Sequence, residues 1–221
     1  MGQNSDDINK LIGVHNCFCV GRNFRDHAKE LNNPIPTEPL IFLKPISSLS
    51  MAQNGRNQIL LPDSIGRVDY EVEWVLQVDR YLDGPILGDW KDAIRCMGVG
   101  IDVTARDLQS VAKKSGQPWT FAKGYKSFGQ VSQLVPLEVT DWEELEVTLT
   151  LNREVKQKAK LEEMIFSPSA VLNYISERVP LLPGDLIFMG TPEGVGALKQ
   201  GDFLSVSLGD LVSMEVDVIS K

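Results

Sequence analysis

The feature that most constrains the fold is a series of short apolar runs separated by Pro, Gly and polar residues. In the clearest run, residues 70–78, apolar and polar positions alternate, so that Tyr70, Trp74 and Val78 share one face of an extended strand. Similar runs occur at residues 17–20, 40–43, 59–61, 145–151, 186–189, 204–208 and 212–219. Many short strands without a regular alternation of strands and helices predict an α+β fold rich in mixed β-structure.

Helical signals are fewer. A T-x-x-D box at Thr104 predicts the start of a helix that Gly116 can end. Ser167 followed by Pro168 predicts an N-cap with proline in the first helical position, and a helix running to about Arg178. Further short helices are predicted at residues 24–31 and 90–97.

Length and charge limit the number of domains and the class of partner. The 221 residues fit one domain, residues 16–221, after a lead-in at residues 1–15. The formal net charge of −8 opposes binding to nucleic acid or to an anionic membrane surface, yet allows a small anionic substrate. No apolar run approaches the roughly 20 residues of a membrane helix, and the polar N-terminus lacks a signal-peptide pattern, so we expect a cytoplasmic protein.

Three acidic residues are candidates for a metal site. Glu71 and Glu73 lie two positions apart on a predicted strand and share a face. Their repulsion can be offset by a bound cation, by Lys or Arg on a neighbouring strand, or by solvent. Asp102 ends the small-residue run 98–102, where a turn or cap carboxylate is the simpler interpretation. Together, the three carboxylates would suit a hard ion such as Mg²⁺ or Mn²⁺.

Other polar residues leave two interpretations open. His27 and Glu30 would face one another on a helix, either as a base with its orienting carboxylate or as a surface ion pair. Lys44 and Lys123, each in apolar surroundings, are either edge-strand lysines or anion-binding groups.

The glycine-rich segment 190–196 forms either an ordinary turn or an anion cradle to which Thr191 adds a hydroxyl donor. Arg106 follows Asp102 closely and has the same two interpretations as Lys44 and Lys123, a basic residue at a strand edge or an anion-binding group.

Taken in order and spacing, these motifs resemble the fumarylacetoacetate hydrolase family. The resemblance runs from about Cys17 to the C-terminus, and residues 102–123 look most like the acylpyruvase and oxaloacetate decarboxylase-like branch. The motifs that carry it are Val20-Gly21-Arg22-Asn23-Phe24, His27 with Glu30, Phe42-Leu43-Lys44-Pro45, Glu71-Val72-Glu73, residues 100–107 and residues 190–196.

The resemblance implies a mixed β-roll, a homodimer and one Mg²⁺ or Mn²⁺ per active site. It also implies roles for individual residues: Glu71, Glu73 and Asp102 as metal ligands, Lys123 as a catalytic lysine, His27 and Glu30 as a catalytic dyad on a lid helix, Thr191 as the ligand of a substrate carboxylate, and Arg22, Arg106 and Gln109 as substrate contacts.

The activity implied is hydrolysis of an acylpyruvate, of acetylpyruvate or fumarylpyruvate type, to pyruvate and a carboxylic acid. His27, oriented by Glu30, would deprotonate the attacking water. Two alternatives share the substrate class: decarboxylation of oxaloacetate, and isomerisation or decarboxylation of unsaturated 2-oxo diacids such as 2-hydroxyhepta-2,4-diene-1,7-dioate. A remote alternative is a non-catalytic protein that binds metal for structure alone.

Overall fold

The computed structural model describes residues 13–25 and 35–220, and strands dominate these residues. Their bounds are β1 Cys17–Gly21, β2 Leu40–Leu43, β3 Leu49–Met51, β4 Arg56–Leu61, β5 Val68–Tyr70, β6 Val72–Val78, β7 Ile94–Asp102, β8 Thr104–Ala105, β9 Gly129–Val131, β10 Val135–Pro136, β11 Glu146–Leu151, β12 Glu154–Lys160, β13 Leu186–Phe188, β14 Gly196–Ala197, β15 Phe203–Leu208 and β16 Val212–Ser220.

The helices of the described residues are short. The α-helices are α1 Arg106–Ser115, α2 Thr120–Lys123 and α3 Pro168–Ser176, and the 3-10 helices are Ile46–Ser48, Trp90–Ala93, Trp142–Glu144 and Leu161–Glu163. None of the helices in this part of the chain is long and apolar enough to span a bilayer.

The strands form three sheets. The largest has the order β2-β1-β13-β6-β7-β9-β3, with β10 paired to β7. A second sheet has the order β12-β11-β15-β16-β4, and a small third sheet has the order β14-β5-β8. Parallel pairs such as β1 with β13 lie beside antiparallel pairs such as β6 with β7. The α+β, β-rich class predicted from the sequence is therefore confirmed.

The two faces of strand β6 have different surroundings. Its even-numbered residues, including Trp74, belong to the main apolar core, where the Trp74 and Trp142 rings stack with centroids 5.7 Å apart. The odd-numbered residue Val75 belongs to a smaller apolar cluster with Cys19 and Phe188. Because side chains alternate along a strand, Glu73 emerges on the same side of the sheet as Val75.

One detail of each of two predicted elements is wrong. The predicted strand at residues 70–78 is not continuous, and most of the predicted helix at residues 90–97 is a strand. The strand is broken at Glu71, because β5 joins the small sheet while β6 joins the large one. Residues 90–97 form one 3-10 turn and then enter β7, because pairing of Met97 with Leu76 places this segment in the sheet. Tertiary pairing here overrides a weak helical pattern.

The two predicted helix starts have different outcomes. Ser167 caps α3 as predicted, accepting a hydrogen bond from the Ala170 N–H at 3.3 Å, and the helix ends at Ser176, two residues before the predicted end. The capping box at Thr104 is wrong, because the N-cap of α1 is Ala105 and Thr104 lies in β8. Gly116 ends α1 in the left-handed conformation, as predicted.

Candidate active site

Three acidic side chains converge where β6 and β7 meet. Glu71 precedes β6, Glu73 lies within it, and Asp102 is the last residue of β7. Antiparallel pairing holds them together: Glu73 pairs with Gly100, and the Asp102 N–H donates to the Glu71 carbonyl at 2.8 Å. Each of the three buried residues offers a carboxylate oxygen, and these oxygens lie within 4.8 Å of one another.

Gly100 explains the small-residue character of the strand that leads to Asp102. A Cβ at this position would lie 2.6 Å from the Phe188 ring and 2.8 Å from the Gln130 carbonyl oxygen. A side chain is therefore excluded by the close approach of the neighbouring strands. Gly100 thus allows β7 to pack tightly behind the acidic cluster.

Two buried lysines neutralise Asp102 from opposite sides. The Lys123 ammonium, carried at the end of α2, lies 2.5 Å from Asp102 Oδ2 and 2.8 Å from Glu71 Oε2. It also donates to Thr104 Oγ1 at 2.7 Å. The Lys44 ammonium lies 2.7 Å from Asp102 Oδ1 and donates to the Lys123 carbonyl at 2.5 Å.

Arg106 extends this network to the start of α1. Its Nε donates to Asp69 Oδ2 at 2.7 Å, and its Nη1 donates to Gln109 Oε1 at 2.7 Å. Its Nη2 donates to Glu71 Oε1, which fixes that carboxylate from the side opposite Lys123. Asp69 and Gln109 thereby hold the guanidinium in one orientation.

The buried charges shift one another's pKa. Burial raises the pKa of Glu73 well above its ordinary value, and the negative charges of Asp102 and Glu71 add to the effect. The Lys123 ammonium and the Gly190 N–H, which donates to Glu73 Oε2 at 2.7 Å, oppose it only in part. Burial would lower the pKa of Lys123, but the carboxylates of Asp102 and Glu71 outweigh burial and raise it above its ordinary value.

The cluster fits a hard divalent cation. Its ligand atoms are carboxylate oxygens from three buried residues, the donor type that Mg²⁺ and Mn²⁺ prefer. Burial, followed by the neighbouring charges of Asp102 and Glu71, raises the pKa of Glu73, and a bound cation would favour the ionised form of this carboxylate. Asp102 Oδ1 is buried and accepts no well-oriented hydrogen bond, although the Lys44 ammonium lies close enough for ionic attraction. A cation bound between the three carboxylates would pair with the Glu73 carboxylate and with Asp102 Oδ1.

The glycine-rich segment after β13 supplies a hydroxyl to the same site. Thr191 is buried, and its Oγ1 accepts a hydrogen bond from Gln157 Nε2 at 2.8 Å. Gln157 also donates to the Pro192 carbonyl and accepts from the Val72 N–H. Because the Thr191 oxygen already accepts from Gln157, its own hydrogen remains available to donate to a ligand.

One cavity collects the site residues predicted from the sequence. It has a volume of about 30 Å³, enough for an ion or a water molecule. The predicted residues that line it are Arg22, Glu71, Glu73, Asp102, Arg106, Gln109, Lys123 and Thr191. His27 and Glu30 lie outside the described residues.

Several polar residues of the site went unassigned in the sequence. The sequence left the role of Lys44 open, although a lysine in an apolar run was a usable signal. Nothing marked Gln157, Asp69 or Thr104 as partners of Thr191, Arg106 and Lys123, because these contacts join segments distant in sequence.

Comparison with known proteins decides the family. The family described as fumarylacetoacetate (FAA) hydrolase C-terminal matches residues 16–219. The chain belongs to this family. Its members include hydrolases, isomerases and decarboxylases, so this chain is an enzyme of the fumarylacetoacetate hydrolase family whose reaction class is considered below.

Three relatives illustrate the range of the family. A mitochondrial oxaloacetate tautomerase from Schizosaccharomyces pombe is 40% identical over 205 residues, which cover 91% of this chain and 90% of the relative. A mitochondrial oxaloacetate decarboxylase from Dictyostelium discoideum is 37% identical, covering 91% of this chain and 93% of the relative. A fumarylpyruvate hydrolase from Pseudomonas aeruginosa, solved in complex with Mn²⁺ and pyruvate, superposes with a TM-score of 0.86 at 28% identity, covering 94% of this chain and 91% of that chain. The structural match confirms the predicted family fold.

Proposed function

We propose that this protein is a metal-dependent enzyme that acts on oxaloacetate. It either interconverts the keto and enol forms or releases, as CO₂, the carboxyl group that is farther from the 2-oxo group. The observation that carries the proposal is the buried cluster of Glu71, Glu73 and Asp102, which opens into a cavity lined by basic side chains. The names of the relatives from Schizosaccharomyces pombe and Dictyostelium discoideum support oxaloacetate ahead of an acylpyruvate as the substrate.

Both reactions pass through the same electronic change. Loss of a proton or of CO₂ from the carbon next to the 2-oxo group leaves an electron pair that moves onto the oxo oxygen, which becomes negatively charged. A divalent cation held by Glu71, Glu73 and Asp102 would supply a Lewis acid that polarises the 2-oxo group. The remaining task of the protein is to bind the acid and to stabilise the charge that develops.

The basic residues of the cavity are suited to those tasks. Since the carboxylates of Asp102 and Glu71 raise the pKa of Lys123, its ammonium stays charged and cannot serve as a base. Its three N–H groups donate to Glu71, Asp102 and Thr104, so its contribution to the reaction is a fixed positive charge that stabilises the developing enolate oxygen. The Thr191 hydroxyl, oriented by Gln157, can donate to a substrate carboxylate. His27, oriented by Glu30, was predicted from the sequence to deprotonate an attacking water; in the reactions proposed here it would instead exchange a proton with the substrate carbon.

The direct test is oxaloacetate turnover by the purified protein after metal removal and again after addition of Mn²⁺ or Mg²⁺. Enol loss is followed by ultraviolet absorbance, and pyruvate is measured by a coupled assay. We expect metal-dependent acceleration of at least one reaction, and its loss in Glu73→Gln. An unchanged oxaloacetate rate with metal present would reject the proposal.

Acylpyruvate hydrolysis is the second candidate function, and one observation favours it. A groove of about 410 Å³, lined by residues 40–43 and 117–120, adjoins the active-site cavity at Leu40, Phe42 and Trp119. Such a groove could receive the acyl chain of an acylpyruvate. The structure of the hydrolase from Pseudomonas aeruginosa contains Mn²⁺ and pyruvate. Pyruvate is also the product expected if this protein hydrolyses an acylpyruvate. Loss of acetylpyruvate absorbance faster than oxaloacetate turnover would reverse our order of preference.

Three further expectations stay predictions. The preferred cation is Mg²⁺ or Mn²⁺, and the protein is expected to form a homodimer. The cytoplasmic location also stays a prediction, and the mitochondrial names of several relatives do not support it.

A further inference from the structure

The active-site cavity has more basic residues than the acidic cluster requires. Among residues 13–25 and 35–220, four basic residues line it, namely Arg22, Arg106, Lys113 and Lys123, against the three carboxylates of the cluster. Arg106 and Lys123 already form ion pairs with Asp69, Glu71 and Asp102.

Lys113 and Arg22 differ from the other two basic residues. Among residues 13–25 and 35–220, no carboxylate lies within the 4.0 Å of an ion pair from the side-chain nitrogens of either. A divalent cation would add to the positive charge of the cavity. The charge balance therefore suits a substrate that carries two negative charges.

The position of Lys113 is defined by its neighbours. It lies in the last turn of α1, and its ammonium sits 5.1 Å from the centre of the Trp119 ring, which also lines the cavity. Such a cation–π contact holds the ammonium in place while leaving its N–H groups able to donate. Lys114, the next residue in the same turn, does not line the cavity, although it can interact equally well with the helix dipole.

Electrostatics support a convergence of positive charge at this point. Burial, together with the positive charges of Arg106, Arg22 and Lys123, lowers the pKa of Lys113 to about 8, and the negative charge of Glu71 opposes them only in part. Like charges that face one cavity without a partner are stabilised when an anion binds between them.

Arg22 reaches the cavity from a different element. It follows β1 with a φ of 59°, a left-handed conformation that is uncommon for residues other than glycine. Strained backbone of this kind is concentrated at functional sites. Arg22 and Lys113 therefore approach the cavity from the end of β1 and from the end of α1.

We propose that Lys113, together with Arg22, binds the second carboxylate of a dicarboxylic 2-oxo acid and so makes the site selective for diacids over monoacids of equal length. This proposal rests on the proposed function, in which the cation and Lys123 bind the 2-oxo acid end. Lys113 acts as a substrate-binding residue that determines specificity, and it takes no part in bond breaking.

The test compares two stable ligands of equal chain length. 2-Oxoglutarate ends in a carboxylate, whereas 2-oxopentanoate ends in a methyl group. Calorimetry with the Mn²⁺-loaded protein should show tighter binding of 2-oxoglutarate. Lys113→Met should weaken 2-oxoglutarate binding about tenfold, the size of a lost charged hydrogen bond, and should leave 2-oxopentanoate and Mn²⁺ binding unchanged.

Two further variants serve as controls. Lys113→Arg keeps the charge and should retain most of the preference, and Lys114→Met removes the neighbouring charge and should change nothing. Equal weakening of both ligands by Lys113→Met, or a wild-type protein without preference for the diacid, would overturn the proposal. A preserved, Lys113-dependent preference in a protein that does not turn over oxaloacetate would instead reject the proposed function and leave this subsite standing.

Discussion

The substitution Lys44→Met tests how the acidic cluster is held together. Methionine keeps an unbranched, apolar side chain in a fully buried position but removes the ammonium. In the wild type, this ammonium lies 2.7 Å from Asp102 and donates to the carbonyls of Lys123 and Val103. The variant leaves two carbonyls and one buried carboxylate oxygen with fewer donors.

The expected loss of stability follows from burial. Removing one partner of a buried ion pair costs about 3–5 kcal/mol, because the other charge remains buried. Asp102 keeps the Lys123 ammonium at 2.5 Å, so we expect the lower end, about 3 kcal/mol. The exposed pair of Arg56 and Glu215, at 3.0 Å, is a matched control for which Arg56→Met should cost about 1 kcal/mol or less.

Urea unfolding with excess chelator measures both losses in the free energy of unfolding. A second expectation concerns coupling: once Asp102→Asn has removed the charge, adding Lys44→Met should cost much less than it does in the wild type. Similar small losses for Lys44→Met and Arg56→Met would contradict this expectation. Burial would then have no influence on how much an ion pair contributes to the free energy of unfolding.

Three further predictions concern different parts of the site. Gln157→Leu should lower the free energy of unfolding by about 1–3 kcal/mol in urea, because it leaves the buried Val72 N–H unpaired; a neutral effect would contradict this. Mn²⁺ at a hundred times its Kd should stabilise the wild type by about 2.7 kcal/mol in thermal unfolding and should not stabilise Glu73→Gln. The kcat/KM for oxaloacetate should fall as pH rises through about 8, because Lys113 then loses its proton, and Lys113→Arg should retain activity to higher pH; identical pH profiles would argue against a role for Lys113.

Sequence patterns predicted those parts of the fold that depend on local order. Alternation along residues 145–151 corresponds to β11, and Ser167 with Pro168 marks the start of α3. The spacing of Glu71 and Glu73 correctly placed both carboxylates on one side. The break in the strand at Glu71 was invisible, because it depends on which partner strands the two halves meet.

The residues that hold the acidic cluster in place could not be predicted from local sequence patterns. Lys44 contacts Asp102 across 58 residues of sequence, and the Lys123 ammonium meets Glu71 from 52 residues away. Such contacts become visible only when the sheets bring distant segments together. Lys113 lacked any sequence signal, because a lysine in the last turn of a helix ordinarily serves the helix dipole.

The most direct test of the account is the binding of Mn²⁺, measured by electron paramagnetic resonance of the free ion during titration of the metal-free protein. We expect one Mn²⁺ bound per chain in the wild type, and loss of this binding in Glu73→Gln with the fold intact by circular dichroism. Equal binding by the variant and the wild type would show that Glu71, Glu73 and Asp102 do not form the metal site.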